Sequence, residues 1–332
     1  MQQARHHADR APRVPGIIDT IAAAMSAVVA RPILLIIPVL FDLYLWLGVR
    51  VSPQALTTAL RHVVLETGSG DKTQIADNLR TMGQSSDVTS LVSLLVPSIV
   101  AGIDRAKVVQ VWARGSYAPG SWWLVCLVAL ALMLVGAALS MLYRVPMALT
   151  VRGVSAPVRE IMRATLKAWV RFVALVALVV GLCLLIGGPA LIIAGLFELA
   201  GVNIVPLLTL FLLLPAAWAA VYLYFAIDAI VVSEVGPLRA IYLSFNVARR
   251  NFWQTVGFAF VTILISAGLT QIWILFLRTT PGLLFAILAN AFVSTGLAMA
   301  SMMFYFDRLR RWRGEPLSPL GLTAATRVGR HG

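Results

Sequence analysis

The residue with the greatest chemical potential is Asp42, a carboxylate inside Ile33–Leu47, a stretch otherwise made almost wholly of Leu, Ile, Val and aromatic residues. It lies between Arg31 and Arg50, well away from either cation. A central Asp costs about 2.5–3.5 kcal/mol on membrane-insertion scales, so it must face protein or water and find a partner. Gln271, two helical turns before Arg278, and Asn290, two turns after Gly282, sit at a comparable depth. Helical rise puts both about 10–12 Å below the outer surface. Asp42, Gln271 and Asn290 therefore form a candidate intramembrane polar cluster. Its chemistry would be that of a proton- or ligand-responsive site; the alternative is a hydrogen-bonded brace between helices.

Two further carboxylates stand where apolar stretches end. Asp228 is followed by Glu234 and Arg239, and Asp307 is followed by Arg308, Arg310 and Arg311. Both read as interfacial carboxylates pairing with a basic inner rim. Arg159, Arg163 and Lys167 recur at i, i+4 and i+8, and Arg249 and Arg250 close a similar segment. Those five cations are candidate contacts for anionic lipid headgroups, each worth about 1 kcal/mol near a charged membrane surface.

Signatures of catalysis are missing: no Gly-rich loop before a Lys, no His-Glu-x-x-His, no Gly-x-Ser-x-Gly. His6 and His7 lie near the start, His62 is solitary and His331 is terminal; Cys126 and Cys183 lie in separate apolar runs. The expectation is a non-enzymatic protein with no cofactor, metal site or disulfide framework.

The elements that carry these residues follow from composition. The apolar share is 60%, the charged share 12%, and mean hydropathy is +0.87. Soluble domains carry about 25% charged residues, so this chain cannot cover a globular surface with ions. A helix crosses the bilayer with about 20 apolar residues. Five stretches free of Asp, Glu, Lys and Arg exceed that length. They run between Arg114 and Arg144, Arg171 and Glu198, Glu198 and Asp228, Arg250 and Arg278, and Arg278 and Asp307. The stretch between Arg31 and Arg50, interrupted by Asp42, makes the sixth span and the shortest. The fold class expected is all-α, a polytopic bundle of six transmembrane helices.

The net charge of +13 is spread over the ends of those spans. Segments 1–32, 143–171, 233–253 and 307–332 hold 19 of the 27 Lys and Arg residues. The positive-inside rule then places both termini in the cytoplasm, in a cytoplasmic-type (inner) membrane, with no cleavable signal peptide. This distribution favours membrane lipid as a partner over nucleic acid.

A pattern recurs at a constant interval: Pro157–Val158–Arg159 matches Pro237–Leu238–Arg239, and Phe172 matches Phe252. In each, a proline opens an amphipathic segment that leads into a span. The first apolar face is Val158, Ile161, Met162, Thr165, Leu166 and Trp169; the second is Leu238, Ile241, Tyr242 and Phe245, with Ser244 among the polar residues opposite. Ile17, Ile18, Ile21, Met25, Val28 and Val29 form the same stripe near the N-terminus. The expected architecture is three copies of an amphipathic helix followed by a transmembrane hairpin. At the far ends, Tyr222–Asp228 echoes Phe304–Asp307. Parallel repeats are known in transporters, where broken helices line sites, and Pro38, Pro189, Pro206 and Pro215 with Gly187–Gly188 are expected to break or kink spans. The Pro-x-[Asp/Glu]-x-x-[Lys/Arg] signature of mitochondrial carriers is missing, so that family is rejected.

The stretch GPLRAIYLSFNVARRNFWQTVGF (236–258) and the ending FYFDRLRRWRGEPL (304–317) resemble bacterial six-span proteins of the glycerophosphoryl diester phosphodiesterase membrane-domain type and related uncharacterised families. The resemblance spans the second and third modules, close to half of the chain. It implies a six-helix membrane domain, fused in some relatives to a soluble phosphodiesterase for which this chain has no room.

Residues 51–120 read as a helical extracytoplasmic insertion within a single membrane domain, and 307–332 as a basic cytoplasmic tail. Helices are expected after Ser52–Pro53 and around Ile75–Met82, separated by Gly68–Gly70. Val88–Ile103 reads as interfacial or re-entrant, and Trp112, Tyr117, Trp122 and Trp123 as an outer aromatic boundary. The functional expectation is a scaffold or accessory component of envelope or lipid homeostasis; the alternative is a small-molecule or lipid transporter.

Overall fold

The computed structural model describes residues 15–67, 72–96, 98 and 115–321. The expectations for residues 1–14, Gly68–Gly70, Pro97, residues 99–114 with Trp112, and the tail past 321 fall outside the described residues.

Helices dominate, in the order α1 (Ile17–Ala30), a 3₁₀ turn (Pro32–Leu35), α2 (Ile36–Leu47), α3 (Gln54–Thr67) and α4 (Lys72–Ser85). Another 3₁₀ segment (Val88–Leu94) precedes α5 (Trp122–Arg152), α6 (Val158–Leu199), α7 (Val205–Leu223) and α8 (Ala226–Val232). The last are α9 (Pro237–Arg250), α10 (Phe252–Phe276) and α11 (Thr280–Trp312). Among the described residues, five helical stretches are long and apolar enough to cross a membrane, and a sixth exists if the segments on either side of Arg31 count as one span. The chain is an all-α polytopic membrane bundle.

Its residues divide into two compact units. One comprises residues 1–30, 144–264 and 296–332; the other comprises 31–143 and 265–295. In the second unit, the insertion is not wholly helical as expected. Arg50–Val51 (β1) pairs in parallel with Ser116–Tyr117 (β2), tying the two ends of the insertion together. Asp87, nearly buried, holds this neck: it accepts from the Val51 N–H (3.1 Å), the Thr89 N–H (3.0 Å) and the Thr89 hydroxyl (2.6 Å).

The expected module is not repeated faithfully. Residues 158–199 form one unbroken helix of 42 residues, so the segment carrying Arg159, Arg163 and Lys167 is not a separate interfacial helix. In α9 and α10 the break is real, at Asn251 (φ −125°, ψ 40°). The sequence explains it. Position 251 corresponds, across the interval that relates Phe172 to Phe252, to Arg171, a good helix former, whereas Asn competes for backbone groups. The Asn251 side chain donates to the Val247 carbonyl (3.1 Å), and its own carbonyl accepts the Thr255 N–H (2.8 Å), ending one helix and starting the next.

No helix is interrupted at Pro38, Pro189, Pro206 or Pro215. Pro189 and Pro215 lie inside helices that continue through them. Pro38 and Pro206 fall in first turns, where no intrahelical N–H bond is lost.

Of the two orientations open to the apolar stripes, into the bilayer or into the bundle, much of each stripe faces outward. In α9 the buried residues are Ala240, Leu243, Ser244, Val247 and Ala248, while Leu238, Tyr242 and Phe245 are exposed. In α1 the buried residues are Thr20, Ala24, Ala27 and Val28, while Ile18 and Val29 are exposed. In α6, Val158, Met162 and Leu166 are exposed, and Thr165, Ala168 and Phe172 are buried. The reason is the solvent: lipid is as apolar as Leu, so small residues that permit close backbone approach take the protein-facing side. Gly296 is such a residue. A Cβ there would collide with Met25 Sδ, so the Met25 side chain of α1 lies directly against position 296 of α11 and would have to move for any side chain there.

Candidate functional site

The first unit contains a buried polar lattice built around Asp228. Its carboxylate accepts from Arg144 Nη1 at 3.4 Å and from the Ser301 hydroxyl. Arg144 is the first cation after the span within α5, Asp228 lies in α8, and Ser301 projects from α11. Three segments distant in sequence are thereby joined at one carboxylate. Near it, the Ser233 and Tyr305 hydroxyls share a hydrogen bond of 2.9 Å. Ser244 donates to the Tyr222 carbonyl (2.7 Å) and accepts the Phe225 N–H (3.1 Å). This hydroxyl satisfies backbone groups left free where α7 ends and α8 begins, which is why a serine belongs on a buried face.

Aromatic rings enclose the lattice. Phe225 stacks on Phe304 with centroids 5.4 Å apart, and Phe258 packs on Phe304 at 4.6 Å. At the adjoining loop, Glu234 adopts a left-handed backbone (φ 52°), its carboxylate pairs with Arg152, and its carbonyl accepts from Arg171 Nη1 at 2.6 Å. Two arginines thus hold a conformation that a non-glycine residue adopts at a cost.

Asp307 behaves differently from Asp228. Instead of pairing with its neighbouring arginines, as expected, it accepts the Ser318 N–H at 2.8 Å, and it is buried. The Ser318 hydroxyl in turn accepts the Gly321 N–H at 3.0 Å. A Cβ at Gly321 would collide with the Asp307 carboxylate. Ser318 is an N-cap followed by Pro319 at the first helical position, a signal readable in the sequence but not used there. Arg308 is buried as well and bonds to Gln254 Oε1 through Nε (3.3 Å) and Nη2 (3.2 Å). Ser301, Ser318 and Gln254 carry much of the buried polar structure, and composition alone singles out none of them.

In the second unit, Asp42 is fully buried and accepts from the Ser98 hydroxyl. Gln271 is exposed, Asn290 is half-buried, and neither shares a hydrogen bond with Asp42. The expected three-residue cluster therefore does not form. Depth was matched and helical phase was not. Trp273 of α10 and Leu277, just past its end, belong to the core around Phe41 and Leu45, and Gln271, two positions before Trp273, lies about 200° away around the helix. Asn290 shares the face of Leu283 but sits about one turn beyond Ile287.

The headgroup candidates are placed as follows. Arg159, Arg163 and Lys167 are all exposed on α6, and Arg249 is exposed at the end of α9. Arg250 lies over the Trp312 ring, 4.6 Å from its centroid. No protein-family model, curated protein or solved structure matches the chain.

Proposed function

We propose that the chain is a six-span protein of the cytoplasmic membrane, both termini inside, acting without catalysis as a scaffold or accessory component in envelope or lipid homeostasis. The observation that supports this reading is the exposed row of Arg159, Arg163 and Lys167 on a helix that continues directly into a membrane span. Among the described residues none of the three takes part in an ion pair. A continuous helix presents them at fixed depth and spacing, as an electrostatic match for anionic headgroups. The buried Asp228 carboxylate supports the scaffold role over transport, since its partners are protein groups within one unit.

The test is charge reversal of Arg159, Arg163 and Lys167 together, followed by lipid analysis of protein purified in native membrane patches. The reading expects the share of anionic lipid around the protein to fall while the protein remains folded. An unchanged lipid profile overturns it.

A further inference from the structure

A cavity of about 360 Å³ opens in the first unit where helix ends converge. It brings the N-terminus of α1, at Gly16 and Ile17, and that of α10, at Asn251, together with Gln254, Arg308 and Arg311. Among the described residues, no carboxylate lines it. The volume lies at the lower end of the range for small-molecule sites, about 300–1,000 Å³.

Arg308 is the element that suggests a ligand. It is only 5% exposed, and its partners are all neutral: Gln254 Oε1, the Phe304 carbonyl (3.4 Å) and the face of the Phe304 ring. Those bonds engage three of the five N–H donors of a guanidinium, leaving two without an acceptor among the described residues. No described carboxylate forms an ion pair with it, because Asp307, adjacent in sequence, is turned to Ser318. The Asp307 charge acts on Arg308 without an ion pair, and a buried guanidinium hydrogen-bonded only to neutral groups attracts an anion, since little water screens it. One turn on, Arg311 is exposed and lines the same cavity.

The backbone adds donors. First-turn N–H groups of a helix have no intrahelical acceptor. In α10 the Asn251 side chain donates its amide N–H back to the Val247 carbonyl, and among the described residues its Oδ1 accepts no N–H of the new helix. In α1 the Asp19 carboxylate accepts the Gly16 N–H at 3.2 Å, so that donor is occupied while Asp19 itself stays out of the lining. Two helix N-termini, a buried guanidinium and an exposed one converge on one space, which is the chemistry of an oxyanion site.

We propose that this cavity binds a phosphate-bearing anion, either free phosphate or the phosphate of an anionic lipid headgroup. The site is separate from the exposed cations of α6 and does not depend on the function proposed above. The experiment uses full-length protein in an uncharged detergent, with thermal unfolding and native mass spectrometry as readouts. One arm titrates inorganic phosphate against potassium chloride of equal ionic strength; the other titrates short-chain phosphatidylglycerol in mixed micelles. Stabilisation by phosphate identifies the free anion, and stabilisation by the lipid alone identifies a headgroup; either result supports the site. Arg311→Gln, at an exposed position, is expected to weaken binding about tenfold or more, the loss typical of one charge-assisted hydrogen bond. Arg308→Gln is expected to weaken it further. If that variant does not fold, Arg311→Gln decides the matter alone. Substituting Gln for Arg159, Arg163 and Lys167 together is expected to leave this binding unchanged. The proposal fails if neither probe stabilises the wild type, if Arg311→Gln binds as tightly as wild type, or if binding follows the α6 cations instead.

Discussion

Phe225 and Phe304 stack on one another, with ring centroids 5.4 Å apart and planes inclined by 16°. Each stands three positions before a buried carboxylate, Asp228 and Asp307 respectively. Residues that echo each other in the sequence thus meet face to face, while their carboxylates diverge. Asp228 pairs with Arg144, and Asp307 binds the backbone at Ser318. The divergence follows from what each carboxylate meets: an arginine at the end of an apolar run for one, a helix-capping turn for the other.

Both rings are fully buried. Phe225→Ala and Phe304→Ala are each expected to cost about 3–5 kcal/mol of stability. The double variant should cost less than the two losses added, by about 0.5–1.5 kcal/mol, the usual value of an aromatic pair. Strictly additive losses in thermal unfolding would show that the stacking adds nothing beyond burial.

The Arg144–Asp228 pair gives a second test. Asp228→Ala leaves Arg144 without its partner and is expected to cost about 3–5 kcal/mol. Asp228→Asn keeps an acceptor for Ser301 and should cost less. Replacing both members, by Arg144→Met with Asp228→Leu, should recover much of the loss. A double variant as unstable as Asp228→Ala would contradict this account of the pair.

At Gly296, a leucine would enter the space of Met25. Gly296→Leu is expected to destabilise the protein by about 1–3 kcal/mol through overpacking. Met25→Ala in the same chain should restore part of the difference. No rescue in the unfolding curve would mean that the clash lies elsewhere.

Asp42 is expected to tolerate Asn far better than Leu. Asn still accepts from Ser98, so Asp42→Asn should change stability by about 1 kcal/mol or less. Asp42→Leu removes the acceptor of the Ser98 hydroxyl and should cost about 1–3 kcal/mol. Gln271→Leu is expected to be silent, since Gln271 shares no bond with Asp42. Destabilisation by Gln271→Leu matching that of Asp42→Leu would revive the polar cluster.

Topology is checked with reporters. One fused after Arg313 is expected in the cytoplasm, and one inserted near Gly70 outside. The same side for both would refute the six-span arrangement.

The amino-acid sequence determined the class of molecule, because crossing a bilayer requires about 20 apolar residues and apolar length can be counted without coordinates. It also located each charged group relative to the ends of the spans, since depth follows from helical rise. Rotation about the helix axis was not legible in the same way. In water the apolar stripe of a helix marks its buried face, but in lipid both faces are apolar and the buried one is chosen by fit. Hence Leu238, Tyr242 and Phe245 lie outside while Ser244 lies inside, and Gln271 is exposed while Asp42 is buried. The partners of the buried charges were likewise decided only in three dimensions. Arg144 and Asp228 are 84 residues apart, and Gln254 and Arg308 are 54 apart. Nothing in local spacing couples such positions. Only packing brings the second group within reach of the first, and only then does a buried charge acquire its partner.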